Sequence, residues 1–218
     1  EVIIGFYTRF LKVLNRDLAN TIQSEPVLSP PQTGFWDRYV DANSGTAIIV
    51  CDALRYELAR ELVDNLDELD AEVSLDNVSA ALPSITEVGM AAHLPGQLGL
   101  DIDGNELEVT VDGEPMDIKD DRVSVLETEG FQVENLSDVS TAPASDFESA
   151  DLPPLVVYSG FIDKLGENLD NDEQTLAKAT DHIQDVERVV RKLKTAGYRR
   201  SSSLPITGSC TPSVYLIN

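Results

Sequence analysis

The segment that most constrains the fold runs from Thr46 to Leu66. A short continuous apolar run, Thr46-Ala47-Ile48-Ile49-Val50-Cys51, is followed at once by Asp52. Leu54, Leu58, Leu62, Val63 and Leu66 then recur at helical spacing. An unbroken apolar run suits a strand buried on both faces, as in a parallel sheet, and the recurrence predicts a helix over 53–69. Strand, acid, helix is the first half of a βαβ unit, and ligands of such sheets collect at the carboxyl ends of the strands. A second buried run, Leu155-Val156-Val157-Tyr158, has Asp163 just beyond it. Asp52 and Asp163 converge on one sheet edge if the two strands are neighbours. The expected fold class is therefore α/β.

The remaining elements fit around that core. Ile3, Phe6, Phe10, Leu11, Val13, Leu14, Leu18 and Ile22 give residues 2–23 a broad apolar helical face. Pro26, Pro30, Pro31 and Gly34 mark a linker, and Phe35, Trp36, Tyr39 and Val40 a short helix. Residues 71–79 alternate as a strand, and a turn at 82–86 leads into a short helix from Glu87 to Ala92, ended by Pro95-Gly96. Leu107, Val109 and Val111 alternate ahead of Asp112-Gly113, which predicts a small hairpin insertion with strands near 106–111 and 114–118. A short helix is expected over 121–130 and an acidic, Ser- and Ala-rich loop over 131–150. Leu176, Ala179, Ile183, Val186, Val189, Val190 and Leu193 line one face of a helix over 173–196, with Gly197 as its C-cap.

Composition adds one strong signal. The 39 acidic residues outnumber 16 basic ones, for a formal charge of −23. The acids are spread along the chain, a pattern that resembles the proteins of salt-in halophiles. Such a field repels nucleic-acid phosphates unless screened, and no basic patch offers a direct binding surface. No apolar run approaches the ~18 residues of a membrane span, and no secretory leader is visible. The two cysteines, Cys51 and Cys210, form no metal-binding or disulfide pattern, which places the chain in the cytoplasm by default. The missing initiator Met reads as a piece of a longer protein.

Taken singly, the candidate residues have plain alternatives. Asp52 could cap the following helix. Thr86 opens a helix whose N–H groups favour an anion, and its hydroxyl could equally be an N-cap. Arg55 could pair with an acid or bind an anion. His93 reads as structural.

As an ordered set, these segments resemble the PglZ domain of the alkaline phosphatase superfamily. The residues that carry the resemblance are Asp52-Ala53-Leu54-Arg55-Tyr56-Glu57, the Pro83-to-Thr86 turn, Gly89-Met90-Ala91-Ala92 through Leu94-Pro95-Gly96, and Tyr158 to Asp163 with Gly166-Glu167. The resemblance covers residues 35–198. It implies a mostly parallel sheet flanked by helices, and a phosphoesterase site with two divalent metal ions, Zn or Mn. Asp52 would bind one metal and Asp163 the other. Thr86 would be the nucleophile, or would hold metal and phosphate. Arg55 and Glu167 would contact phosphate or support the ligands, with Glu167 standing where the family has Asp. Ser159 and Gly160 stand where family members commonly carry His. Family context further implies BREX phage-defence partners, among them a DNA methyltransferase and large ATPases, and a nucleic-acid or other phosphoester substrate.

One part of the pattern is missing. The family closes its site with Asp-His-Gly-Phe after one more strand, but no Asp or Glu follows Glu187 and no His follows His182. His182 lies mid-helix and reads as a poor substitute. Written as degenerate codons and shifted by two bases, Ser201 to Pro212 can be translated Val-Ile-Thr-Ala-Asp-His-Gly-Phe-Leu-Tyr-Thr. The expected organisation is thus an N-terminal helix and linker over 1–34, a partial PglZ domain over 35–200, and an out-of-frame tail over 201–218 that follows a frameshift near Arg200. The fold would then be incomplete at its C-terminus, with a sheet edge exposed. The expected function is a metal-dependent phosphoesterase or phosphodiesterase by ancestry, inactive in this form. The alternative is a non-catalytic scaffold of a defence complex.

Overall fold

A computed structural model describes residues 2–24, 30–40, 45–52, 54–66, 72–104, 106–149, 151–161, 172–198, 200–205 and 211–217. The chain forms two compact units, Glu1–Pro30 and Pro31–Asn218. The first is one helix, α1 (Val2–Ser24). Its apolar periodicity is plain in the structure, and Ile4, Phe6, Tyr7, Phe10, Leu14 and Leu18 are exposed.

The second unit is built on a six-stranded sheet. Its strands are β1 (Thr46–Cys51), β2 (Glu72–Val78), β6 (Gln132–Asn135), β7 (Leu155–Ser159), β8 (Arg200–Pro205) and β9 (Thr211–Ile217). Their spatial order is β2-β9-β8-β1-β7-β6. β1 pairs in parallel with β7, from Ala47 opposite Leu155 to Cys51 opposite Ser159, and with β8 on its other side. β6 adds in parallel to β7, while β9 runs antiparallel to both β8 and β2. Every residue of β1 is buried, as its unbroken apolar run predicts for a central strand covered on both faces.

Alternation along the strands sorts the core into two layers. Ala47, Ile49 and Cys51 of β1, with Leu155 and Val157 of β7, face α3 (Tyr56–Leu66), α6 (Leu136–Thr141) and the long α7 (Asp172–Thr195). Ala179, Ile183, Val186, Val189, Val190 and Leu193 of α7 are buried there, on the predicted face. Ile48, Val50 and Val156 point the other way, into a cluster with Phe35 of α2 (Phe35–Tyr39), Val88 and Ala91 of α4 (Thr86–Ala92), and Leu126 of α5 (Lys119–Thr128).

Four expectations change. The helix expected from residue 53 begins at Tyr56. The hairpin insertion gains a strand, β3 (Leu98–Asp103), which pairs with β4 (Glu106–Val111), while the last strand, β5, is only Glu114–Pro115. Leu98, Leu100 and Ile102 alternate with smaller or acidic neighbours, a weak signal beside the strong Asp112-Gly113 turn. That turn has positive φ at both residues, the backbone a tight hairpin demands. Residues 131–150 are not a loop: they hold β6, α6 and a 3₁₀ turn at Ala144–Phe147. Their polar composition fits an edge strand and a mostly exposed helix. The edge of β1 expected to be open is occupied instead by the backbone of β8.

Candidate active site

Asp52 stands at the C-terminal end of the central strand. Its side chain is buried, with 4% of the residue exposed. Its N–H donates to the Ser159 carbonyl over 2.8 Å, which carries the β1–β7 ladder one step past Cys51. The cap alternative fails on position: α3 starts at Tyr56, so Asp52 lies too far upstream to accept its first N–H groups. Arg55, which immediately precedes α3, is exposed.

Thr86 is the first residue of α4 and is half-buried. The N-cap is Ile85, in extended backbone at φ −111° and ψ 160°, so the Thr86 hydroxyl does not cap the helix. The turn ahead of it contains a cis Leu82–Pro83 peptide. By the two-residue alternation, Asp52 follows Ile48 and Val50 onto the face that α4 covers. The far end of the motif is fixed by Gly96. Its φ is +115°, and an added Cβ would sit 2.5 Å from Asp112 Oδ2 and 2.7 Å from Val111 Cγ1. Asp163 and Glu167 lie outside the described residues.

His93 is structural, as the sequence suggests, and its setting explains why. It is buried, with Nδ1 2.8 Å from both the Gly89 carbonyl oxygen and Gln32 Nε2, and with Nε2 3.2 Å from the same Gln32 nitrogen. The Gln32 amide also donates to the Gly89 carbonyl and accepts from Ala81 N–H at 2.9 Å. The Trp36 indole N–H donates to the His93 carbonyl. Burial pushes the imidazole down to about 4, against a smaller upward pull from its bond to Gly89.

One pairing escaped the sequence. Ser159 Oγ lies 2.9 Å from His182 Nε2, both residues buried. Burial lowers the His182 pKa more than the Asp185 carboxylate raises it. Phe161 stacks on the other side of His182, with centroids 4.8 Å apart. The helix thus brings an imidazole to the end of β7, a contact between residues 23 apart in sequence that no local pattern signals.

The donors are carboxylate and hydroxyl oxygens, a set that suits hard divalent cations. Among the described residues no three His, Cys, Asp or Glu side chains group closely enough to hold a metal by themselves.

A mostly parallel α/β sheet flanked by helices, with an acid at the carboxyl end of its central strand, is consistent with an alkaline-phosphatase-like domain. The chain belongs to the PglZ family: residues 38–200 match the model of the BREX system PglZ alkaline phosphatase-like domain. It is also 26% identical over 166 residues to the alkaline phosphatase-like protein PglZ of Bacillus cereus. That similarity covers 73% of this chain and 19% of the relative, so the chain spans about a fifth of that protein's length.

Proposed function

We propose that this domain carries a metal-dependent phosphoesterase site of the phosphatase or phosphodiesterase type. Asp52 and Asp163 are assigned as metal ligands and Thr86 as the nucleophile, or as a ligand of metal and phosphate. Arg55 and Glu167 are assigned to phosphate or to support of the ligands. The observation that carries the reading is Asp52: a buried carboxylate past a fully buried strand, with no helix start near enough for it to cap. Two divalent ions, Zn or Mn, would supply Lewis-acid stabilisation of charge on the phosphoryl oxygens when bound. Thr86 Oγ1, not engaged as a cap, would face the phosphorus, and Asp52 would hold its metal from the strand side. Titration calorimetry with Mn²⁺ on wild type and Asp52→Ala tests the ligand assignment; equal heats from both proteins would sink it.

A second reading, a non-catalytic scaffold, is favoured by the segment after α7. No Asp or His stands between Gly197 and Pro212, where the family pattern places Asp-His-Gly-Phe. Pro205, the last residue of β8, lies opposite Cys51, one residue short of Asp52. In the shifted frame an Asp falls at that strand end. This supports the reading of 201–218 as out of frame, with turnover lost in the present chain. The test is a bis-p-nitrophenyl phosphate assay on the frame-restored protein. Activity there and none in the present chain is expected, and activity that survives Thr86→Ala would remove Thr86 from its role.

The family supports other BREX components as partners and a nucleic-acid or other phosphoester as substrate. No helix among the described residues is long and apolar enough to cross a membrane. We assign the domain to the cytoplasm of a salt-in halophilic archaeon, on its charge of −23.

A further inference from the structure

A cavity of about 470 Å³ opens at the carboxyl ends of β6 and β7, between α6 and α7. That size lies within the usual range for small-molecule sites, and the carboxyl edge of a parallel sheet is where such sites form. It meets the Asp52 site at the carboxyl edge of the sheet, where Asp52 N–H is bonded to the carbonyl of the lining residue Ser159, while the Asp52 side chain follows Ile48 and Val50 onto the other face.

The chemistry of the walls restricts the occupant. Among the described residues no Lys or Arg lines the cavity itself, but Asp185 is paired with Arg188 at 2.5 Å, and the Lys119 ammonium donates to Oδ1 of the lining residue Asn135 at 2.7 Å. Ser137, Ser140 and Thr141 line it from α6; the Thr141 hydroxyl donates to the Ser137 carbonyl at 3.1 Å and the Ser137 hydroxyl to Asp138 at 3.3 Å, so both offer acceptor oxygens to a ligand. Phe161 forms an aromatic wall: one face rests on the His182 ring, and the residue is 45% exposed. Behind it His182 is held by Ser159 at 2.9 Å, and the Ser159 hydroxyl also accepts from Phe161 N–H at 3.5 Å. The wall is braced from behind and open in front. A flat ring added to the open face extends the existing stack.

We propose that this cavity binds the uncharged, ring-bearing part of the phosphoester, a nucleoside, with its base stacked on Phe161 and its polar edge met by the α6 hydroxyls. The assignment of this group as part of the substrate rests on the phosphoesterase reading; the binding itself does not. Sugar phosphates without a base lack the stacking partner.

Calorimetry and saturation-transfer NMR of the full 218-residue chain with adenosine, in the absence of metal, test the proposal. Saturable binding in the millimolar range or tighter is expected, with no competition from ribose 5-phosphate. Phe161→Ala should weaken it about tenfold, the scale of one lost base–aromatic stack, and Phe161→Tyr should restore it. Ser140→Phe, which fills the cavity from α6, should abolish it while the near-UV dichroism stays native. No adenosine binding, or binding equal in wild type, Phe161→Ala and Ser140→Phe, would overturn the proposal. Adenosine binding that persists while Mn²⁺ heats are equal in wild type and Asp52→Ala sustains the cavity and removes only the metal site. The reverse pattern removes only the cavity.

Discussion

Asp52 and Ser159 are joined by a backbone hydrogen bond of 2.8 Å, one step beyond the last paired residues of β1 and β7. The bond fixes where the Asp52 backbone sits relative to the neighbouring strand, so removing its carboxylate does not remove its anchor. Asp52→Asn should therefore keep the fold and lose divalent metal affinity, since the amide is nearly isosteric but uncharged. Calorimetry with Mn²⁺, with a thermal melt as the folding control, separates the two. A variant that binds metal like wild type would remove Asp52 from the ligand set.

Thr86 is expected to behave unlike a capping threonine. Loss of an N-cap hydroxyl costs about 0.5–2 kcal/mol. Because Ile85 occupies the N-cap of α4 and Thr86 is already helical, Thr86→Ala should change stability by no more than about 0.5 kcal/mol. Urea midpoints measured on both proteins decide this, and a cap-sized loss would return Thr86 to a structural role.

Acid should destabilise the domain through His93. Its folded pKa, about 4, lies below the ordinary value of 6.5, so the unfolded chain binds the proton first as pH falls. The contribution is complete above pH 6.5 and is lost between pH 6.5 and 4. It amounts to roughly 3 kcal/mol at most. His182 shifts in the same direction, so the contribution of His93 is read by difference. His93→Gln should show a shallower fall in urea midpoint over that interval than wild type; parallel curves would show that the ring titrates as if exposed.

Lys192 closes the end of α6. Its ammonium donates to the carbonyls of Val139 at 2.8 Å, Ser140 at 2.7 Å and Ala142 at 2.5 Å, which α6 has no N–H groups of its own to satisfy. Lys192→Met keeps the stem and deletes the donors. It should destabilise by about 1–3 kcal/mol in guanidinium chloride, where salt screens the change in net charge. A loss within error would mean that water replaces the ammonium without cost.

Salt should stabilise a chain of this charge. With −23 on 218 residues, self-repulsion opposes the compact state, and the screening length falls from about 10 Å at 0.1 M to about 3 Å at 1 M. The melting temperature is expected to climb steadily with KCl across that range. A flat profile would count against a salt-in origin.

The sequence by itself determined the local elements and the order of the motifs. An unbroken apolar run reads as a buried strand, seven apolar positions at helical spacing read as the face of α7, and Asp112-Gly113 reads as a tight turn. Each depends on neighbours a few residues away, so periodicity and backbone chemistry suffice. It also supplied the family, through Asp52, Thr86 and the segments around them.

Other features were decided only by the tertiary structure. The spacing left Asp52 and Thr86 open as helix caps; the observed starts of α3 and α4 closed that option. The polar composition of 131–150 suggested a loop, yet pairing to β7 and packing on α7 made it strand and helix. Gln32 meets His93 across 61 residues, and Ser159 meets His182 across 23. Such contacts form because the sheet and its covering helices bring distant segments together. A buried polar atom then takes whichever partner the packing offers, and nothing in the local sequence names that partner in advance.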